Sequence, residues 1–305
     1  MFLDFELTIL GCNSAIAQHG RHPTSHILRI GSQMYMIDCG EGTQFRILQN
    51  AVKWFKINHI FISHLHGDHY YGLIGLLTTY NLLKRTDKLH IFAPAILKDI
   101  IELHFKASNS TLNYELEFIE TKTDGLHKIY ENTSCEVYSF PLKHKIPTTG
   151  FLFKEKTYLR RLDIDKIKTL DISNQKYKLL QQGLDIEDEY GNLYKNEDLT
   201  FDAKPSRSYA FCSDTIYDES IVEYIKNVDV LYHEATFMQD AQQRAAETMH
   251  STSMQAASIA QKAEVKKLII GHFSSRYADL NPLLQEAKSI FSETYLAEEL
   301  KTYSI

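Results

Sequence analysis

The chain has 305 residues, 44% hydrophobic and 24% charged, enough for one large domain or two ordinary ones with a sizeable core. Its formal charge of −6 argues against a protein that coats polyanions indiscriminately, though not against a local basic patch. The start, "MFLDFELTILGC", carries acids and no positive n-region, and no apolar run approaches the roughly eighteen residues of a membrane span, so neither a signal peptide nor a membrane protein is expected.

In chain order, "FELTILG", "SHILRIG" and "QMYMIDCG" are short β-branched or aromatic runs that predict antiparallel strands ending at glycine. "TQFRILQN" predicts a short helix, "INHIFISH" a strand buried on both faces, and "YYGLIGLLTTYNLLKR" a helix. "KLHIFAP" followed by "ILKDIIELHFKAS" repeats the strand-then-helix unit, and strands dominate again from about Leu112 to Phe153. From Ser208 the order is strand "SYAFCSD", helix "DESIVEYIKN", strand "VDVLYHEA", further helices and the strand "KKLIIGH". Strands in both halves with helices outside predict an α/β fold of the αββα sandwich kind. Cys12, Cys39, Cys135 and Cys212 form no C-x-x-C pair, which fits reduced, buried thiols of a cytoplasmic protein.

Between the halves lies a polar insertion with a split charge. Residues 154–178 hold eight Lys/Arg against four acids, whereas 184–202 hold seven acids and one lysine. Length and polarity place it at the surface.

"INHIFISHLHGDHYYG" carries the chemistry. A strand ending in His-x-His projects His64 and His66 to one side, because side chains alternate with period two. Gly67 is expected to permit a sharp turn that brings Asp68 and His69 to the start of the next helix. Four ligands then converge at one strand end, a donor set suited to Zn²⁺, with Mn²⁺ or Fe²⁺ as substitutes.

"SHLHGDH" resembles the H-x-H-x-D-H signature of metallo-β-lactamase-fold hydrolases, whose fold is the sandwich just inferred. The resemblance implies two metal ions, with His64, His66 and His144 on one, Asp68, His69 and His272 on the other, and Asp214 bridging. His144, Asp214 and His272 each stand at or just past the end of a strand-like run. Two ions about 3.5–4 Å apart acidify water and clamp the oxygens of a phosphate under attack.

Fold and signature serve lactonases, thioesterases, phosphodiesterases and nucleases alike. "DCGEGTQFRIL", "YHEATF", "MHSTSMQAA", "GHFSSRY" and "GRHPTSHIL" resemble blocks of the RNase Z family of transfer-RNA 3′-processing endonucleases, from about Leu10 to Tyr277. That resemblance implies a zinc-dependent endoribonuclease that removes the 3′ trailer from precursor tRNA and leaves a 3′-hydroxyl. The departing oxygen needs a proton, for which His has the most suitable pKa; the family comparison makes His250 that donor, with Glu234 orienting it. Asp68 both ligates and accepts a proton from the nucleophilic water, while Asp38 orients ligands and His233 is structural. Candidates for holding the tRNA backbone are Arg21, Lys143, Arg160, Arg161, Arg276 and Tyr277.

The resemblance further implies one domain over 1–305, a substrate-binding arm at 159–196 and a homodimer in which one subunit's arm presents tRNA to the other's site. Two departures stand out. The family commonly has Gly-Asp-Thr where this chain has Ser213-Asp214-Thr215, and its arm often contains Gly-Pro where this one reads "DISNQKYKLLQQG". The same-fold alternative is a phosphodiesterase or esterase of small molecules, which would need no arm. An RNA-binding module with a decayed site is the alternative of another class, and the intact ligand set speaks against it.

Overall fold

The computed structural model describes residues 4–170 and 172–305; Asp171, one of the four acids counted above, and Met1–Leu3 of the first run lie outside the described residues. The chain forms two compact units, one of residues up to Lys154 with Arg207–Ile305, the other Glu155–Ser206.

The larger unit is built on two seven-stranded sheets. Its first half runs β1 (Phe5–Gly11), β2 (Ser25–Ile30), β3 (Gln33–Ile37), α1 (Thr43–Gln49), β4 (Ile57–Phe61), α2 (Gly67–Leu82), β5 (Leu89–Ala93), α3 (Ile96–Ala107) and β6 (Leu116–Glu120). Then come β7 (His127–Glu131), β8 (Cys135–Leu142) and β9 (Thr148–Glu155). After the insertion follow β10 (Ser208–Cys212), β11 (Val230–Glu234), α4 (Gln242–Thr248), α5 (Ser253–Lys262), β12 (Lys267–Gly271), α6 (Asn281–Lys288), β13 (Thr294–Leu296) and β14 (Thr302–Ser304). One sheet has the order β14-β1-β2-β3-β4-β5-β6, the other β13-β12-β11-β10-β9-β8-β7.

β1 to β3 pair antiparallel, as predicted, while β3 to β6 and β10 to β13 pair parallel. Parallel strands end at one edge, so the loops after β4, β10, β11 and β12 can meet there. The inner faces share one core, with Leu7, Tyr35, Phe61, Phe151, Phe211 and Tyr232 among its members, and α5 and α6 pack on it through Ile259 and Leu283. A second core lies between the first sheet and α1–α3, where Leu73, Leu76, Leu77 and Tyr80 of α2 meet Ile57, Ile60 and Ile91. Helices thus cover the sheets on both sides. Gly72 lets α2 approach the chain after β3: its amide donates to the Cys39 carbonyl at 2.9 Å, and a Cβ there would sit 2.1 Å from the Gly40 oxygen.

One helix differs from its sequence reading. "DESIVEYIKN" forms only the 3₁₀ turn Glu219–Glu223, capped by the Asp218 carboxylate. Ile221 and Ile225 reach the core, and Asn227, at φ 59°, turns the chain into β11 before an α-helix can develop. All four cysteines are free and buried. Among the described residues no helix is long and apolar enough to cross a membrane.

Glu155–Ser206 is a small folded unit with its own core of Ile167, Ile172, Leu180, Ile186 and Leu199. Arg161–Leu162 pairs with Thr200–Phe201, and the hairpin Ile186–Glu187/Leu193–Tyr194 is closed by Asp188, whose carboxylate accepts from the Tyr190 and Asn192 amides at 2.9 Å. Helix Asn174–Gln181 carries Leu180 into that core.

Candidate metal centre

β4 stops at Phe61, short of the His-x-His expected to end it, so a loop and not strand alternation delivers His64 and His66; His66 takes the N-cap position of α2, whose first turn holds Asp68 and His69. His144 lies two residues past β8, Asp214 two past β10 and His272 directly after β12. Asp38, Met249 and His272 all have left-handed φ (55°, 60° and 58°) without being glycine, a strained backbone that re-aims each residue as the chain leaves its element.

Their donor atoms form two four-membered sets. In the first, His64 Nε2 is 3.0 Å and His144 Nε2 3.2 Å from His66 Nδ1, and both Nε2 atoms are 3.5 Å from Asp214 Oδ2. In the second, His69 and His272 Nε2 are 3.3 Å apart. They lie 3.6 and 3.5 Å from Asp68 Oδ2, and 3.2 and 3.1 Å from Asp214 Oδ1. Four ligands about 2.0–2.1 Å from a tetrahedral ion stand roughly 3.3–3.4 Å from one another, so both sets have the dimensions of such a site. Asp214 gives one oxygen to each, as a bridge must.

The two sets differ in protonation. Burial pushes His64 down to about 4 and lowers His66 and His144, leaving the neutral imidazole that ligates cations. Burial disfavours charge on Asp68 and Asp214 too, but His69 and His272 hold both carboxyls below the usual range. Burial would lower His69, but Asp214, Asp38 and Asp68 outweigh it and hold it well above its ordinary value, so positive charge is favoured among these carboxylates, where a cation would sit. The donor set fits a divalent metal.

Outer partners fix the rings. His69 Nδ1–H donates to Asp38 Oδ2 at 2.7 Å, and Asp38 also accepts from the Ser63 amide and hydroxyl. His144 Nδ1–H donates to the Met249 carbonyl at 2.8 Å. His272 Nδ1–H donates to Thr236 Oγ1 at 3.0 Å, and that hydroxyl donates onward to Glu234 Oε2 at 2.7 Å. In each ring Nε2 is thereby left to face the set. Asp38 sits where an orienting group was expected. Ser63, Thr236 and Met249 were not singled out from sequence. Thr236 stands inside the quoted "YHEATF", but nothing in a sequence reveals a carbonyl aimed by a left-handed methionine.

His250 follows α4, which Met249 ends in the left-handed conformation usually filled by glycine. Thr252 then caps α5 in a capping box with Gln255. His250 Nδ1 is 2.8 Å from Glu234 Oε1, and Nε2 faces the centre, 4.0 Å from Asp214 Oδ2. Burial would lower this imidazole, but Glu234, then Asp214 and Asp68, outweigh it and raise it to about 9. His233 is buried, with its ring on the Glu234 carbonyl at 2.7 Å.

The candidate backbone contacts are scattered. Arg21 binds Asn13 Oδ1 (3.0 Å) and the Tyr277 carbonyl (2.5 Å), and the Tyr277 hydroxyl accepts from the Met238 amide. Arg276 lies over the Phe237 ring at 5.0 Å, beside His250, and Lys143 pairs with Asp218 at 3.1 Å. Arg160, paired with Asp202, and Arg161, over Phe201, belong to the smaller unit.

A family model described as "Anti-Pycsar protein Apyc1" matches residues 5–291. Ribonuclease Z of Bacteroides thetaiotaomicron is 45% identical over 295 residues, covering 97% of this chain and 93% of that protein. Ribonuclease Z of Cytophaga hutchinsonii is 45% identical over 304 residues, covering 99% and 97%. The solved structure of human tRNase Z, short form, matches with a TM-score of 0.70 at 24% identity, covering 98% of this chain and 99% of its own. The metallo-β-lactamase fold protein YhfI of Bacillus subtilis matches at 0.71 with 16% identity, covering 99% and 100%. These two likenesses speak for the fold alone, and the fold is the metallo-β-lactamase sandwich expected from "SHLHGDH".

Proposed function

The chain belongs to the family drawn by that model and, with its curated relatives, to the ribonuclease Z family, and on that premise we propose a metal-dependent endoribonuclease that removes the 3′ trailer of precursor tRNA. The observation that carries the reading is the His250–Glu234 pair aimed at two complete ligand sets. Ligands alone would serve any hydrolase of the fold, whereas a held imidazolium suits an alkoxide leaving group.

His64, His66 and His144 would hold one zinc ion, Asp68, His69 and His272 a second, with Asp214 between them. Bound there, the ions supply positive charge to the phosphate oxygens and acidify a water. Asp68 turns Oδ2 toward the second set and takes the water's proton on its carboxylate. Glu234 accepts from His250 Nδ1–H, which leaves the Nε2 proton for the departing 3′-oxygen. A retained 3′-hydroxyl follows. The reading places Arg21, Lys143, Arg276 and Tyr277 along the acceptor end. It makes 159–196, with Arg160 and Arg161, an arm that grips tRNA by counterion release, in a cytoplasmic homodimer.

Incubation with a precursor tRNA carrying a 3′ trailer, followed by mapping of the cut, tests this. Cleavage at or next to the discriminator base is expected. No cleavage by the wild type, or equal cleavage by Asp68→Ala, would overturn it, and better turnover of small phosphodiesters would favour the same-fold alternative.

A further inference from the structure

We propose that the ring of Tyr71 is a stacking platform for a nucleobase next to the scissile phosphate, a step that rests on the nuclease reading above. Tyr71 lies in the first part of α2, close in sequence to the ligands His66, Asp68 and His69. Its ring lies against Gly67, the residue between two of those ligands: a Cβ built there would come 2.2, 2.5 and 2.6 Å from three ring atoms. Gly67 is not among the glycines with left-handed φ, so it does not serve the sharp turn expected from sequence. Room for the ring is what glycine provides. Tyr70 packs edge-on to Tyr71 at 5.1 Å and flanks it on the helix.

Tyr71 so placed is 64% exposed as a residue. Tyr80, on the same helix, is by contrast fully buried in the core. A phosphate brought among buried ligands must come from an unpaired strand, and the bases flanking it have lost their stacking neighbours. Proteins that hold such strands replace those neighbours with aromatic rings, tolerantly of sequence because every base has a π-face. Tyr71 offers such a face at the turn that carries the ligands. The base is the last one retained or the first one removed.

Cleavage of three precursor tRNAs, one intact, one abasic 5′ of the cut and one abasic 3′ of it, tests the platform. Tyr71→Ala is expected to lower kcat/KM on the intact substrate by about 5- to 150-fold, chiefly through KM, with Tyr71→Phe close to wild type. One abasic substrate should cost the wild type that same factor and cost Tyr71→Ala nothing more; which one it is identifies the base. Equal activity of Tyr71→Ala on intact substrate, or penalties that multiply on both abasic substrates, would overturn the proposal. So would loss of bound metal or a changed oligomeric state in Tyr71→Ala, which would assign the ring to the ligand turn or to a subunit contact. An inactive wild type sinks the nuclease reading itself, whereas an active wild type with an indifferent Tyr71 sinks only the platform.

Discussion

The ligand edge of the sandwich and the Glu155–Ser206 unit are built on opposite principles. At the edge, His64, His69, His272 and Glu234 are fully buried, and each meets a polar partner held by a strand end or a helix start. The smaller unit has five core residues and leaves Leu159, Leu184, Tyr190, Leu193 and Phe201 exposed by 50–78%. Geometry of the first kind is insensitive to small losses of stability but intolerant of losing a donor. A core of the second kind is marginal, so its order is separable from that of the sandwich.

The harshest way to break this contrast is Asp214→Ala. Both ligand sets lose a member, so metal content should collapse and cleavage fall by at least about a thousandfold; a purified variant that keeps stoichiometric metal would refute the bridge. Next, His250→Ala should lower kcat by about 10²–10⁴ with bound metal unchanged. The acid form of His250 is present below about 9 and lost as pH rises through it. Glu234→Gln removes the largest group that raises it, so the alkaline limb of kcat should move to lower pH, and a stationary limb would deny the pair its role. Thr236→Val removes the hydroxyl under His272 and should weaken metal binding by about 10–100-fold in chelator competition, with Thr236→Ser restoring it. Should valine bind metal normally, the hydroxyl is idle.

The smaller unit should respond in another currency. Replacing 159–196 with a short linker is expected to raise KM for precursor tRNA while leaving hydrolysis of a small phosphodiester unchanged; unchanged KM for tRNA would remove the arm from substrate binding. Least of all, Leu180→Ala should destabilise the unit by about 2–5 kcal/mol, seen as faster amide exchange within 155–206 while β10–β12 stay protected. Uniform exchange across both units would show that they unfold together.

Much of the site was legible in the sequence because ligands obey local rules. The H-x-H-x-D-H spacing marks His64, His66, Asp68 and His69 as one group, even though β4 ends before them, and a strand end precedes His144, Asp214 and His272. The helix expected over "DESIVEYIKN" failed because two core anchors and Asn227, not propensity, decide that segment. The polar insertion at 154–178 and 184–202 read as a surface excursion, since its apolar residues are too sparse for periodicity to disclose a five-residue core.

Sequence by itself therefore determined the donor types, their order and the class of fold that would gather them. Only the tertiary structure decided which oxygen of Asp214 faces which set, that Met249 and Thr236 choose the tautomers of His144 and His272, and that Gly67 makes room for a ring. The reason is physical: residue type and spacing set which atoms can bind, but the tautomers of His144 and His272 are chosen by neighbours 105 and 36 residues away in the chain, brought to 2.8 and 3.0 Å only when the strand ends gather at one edge.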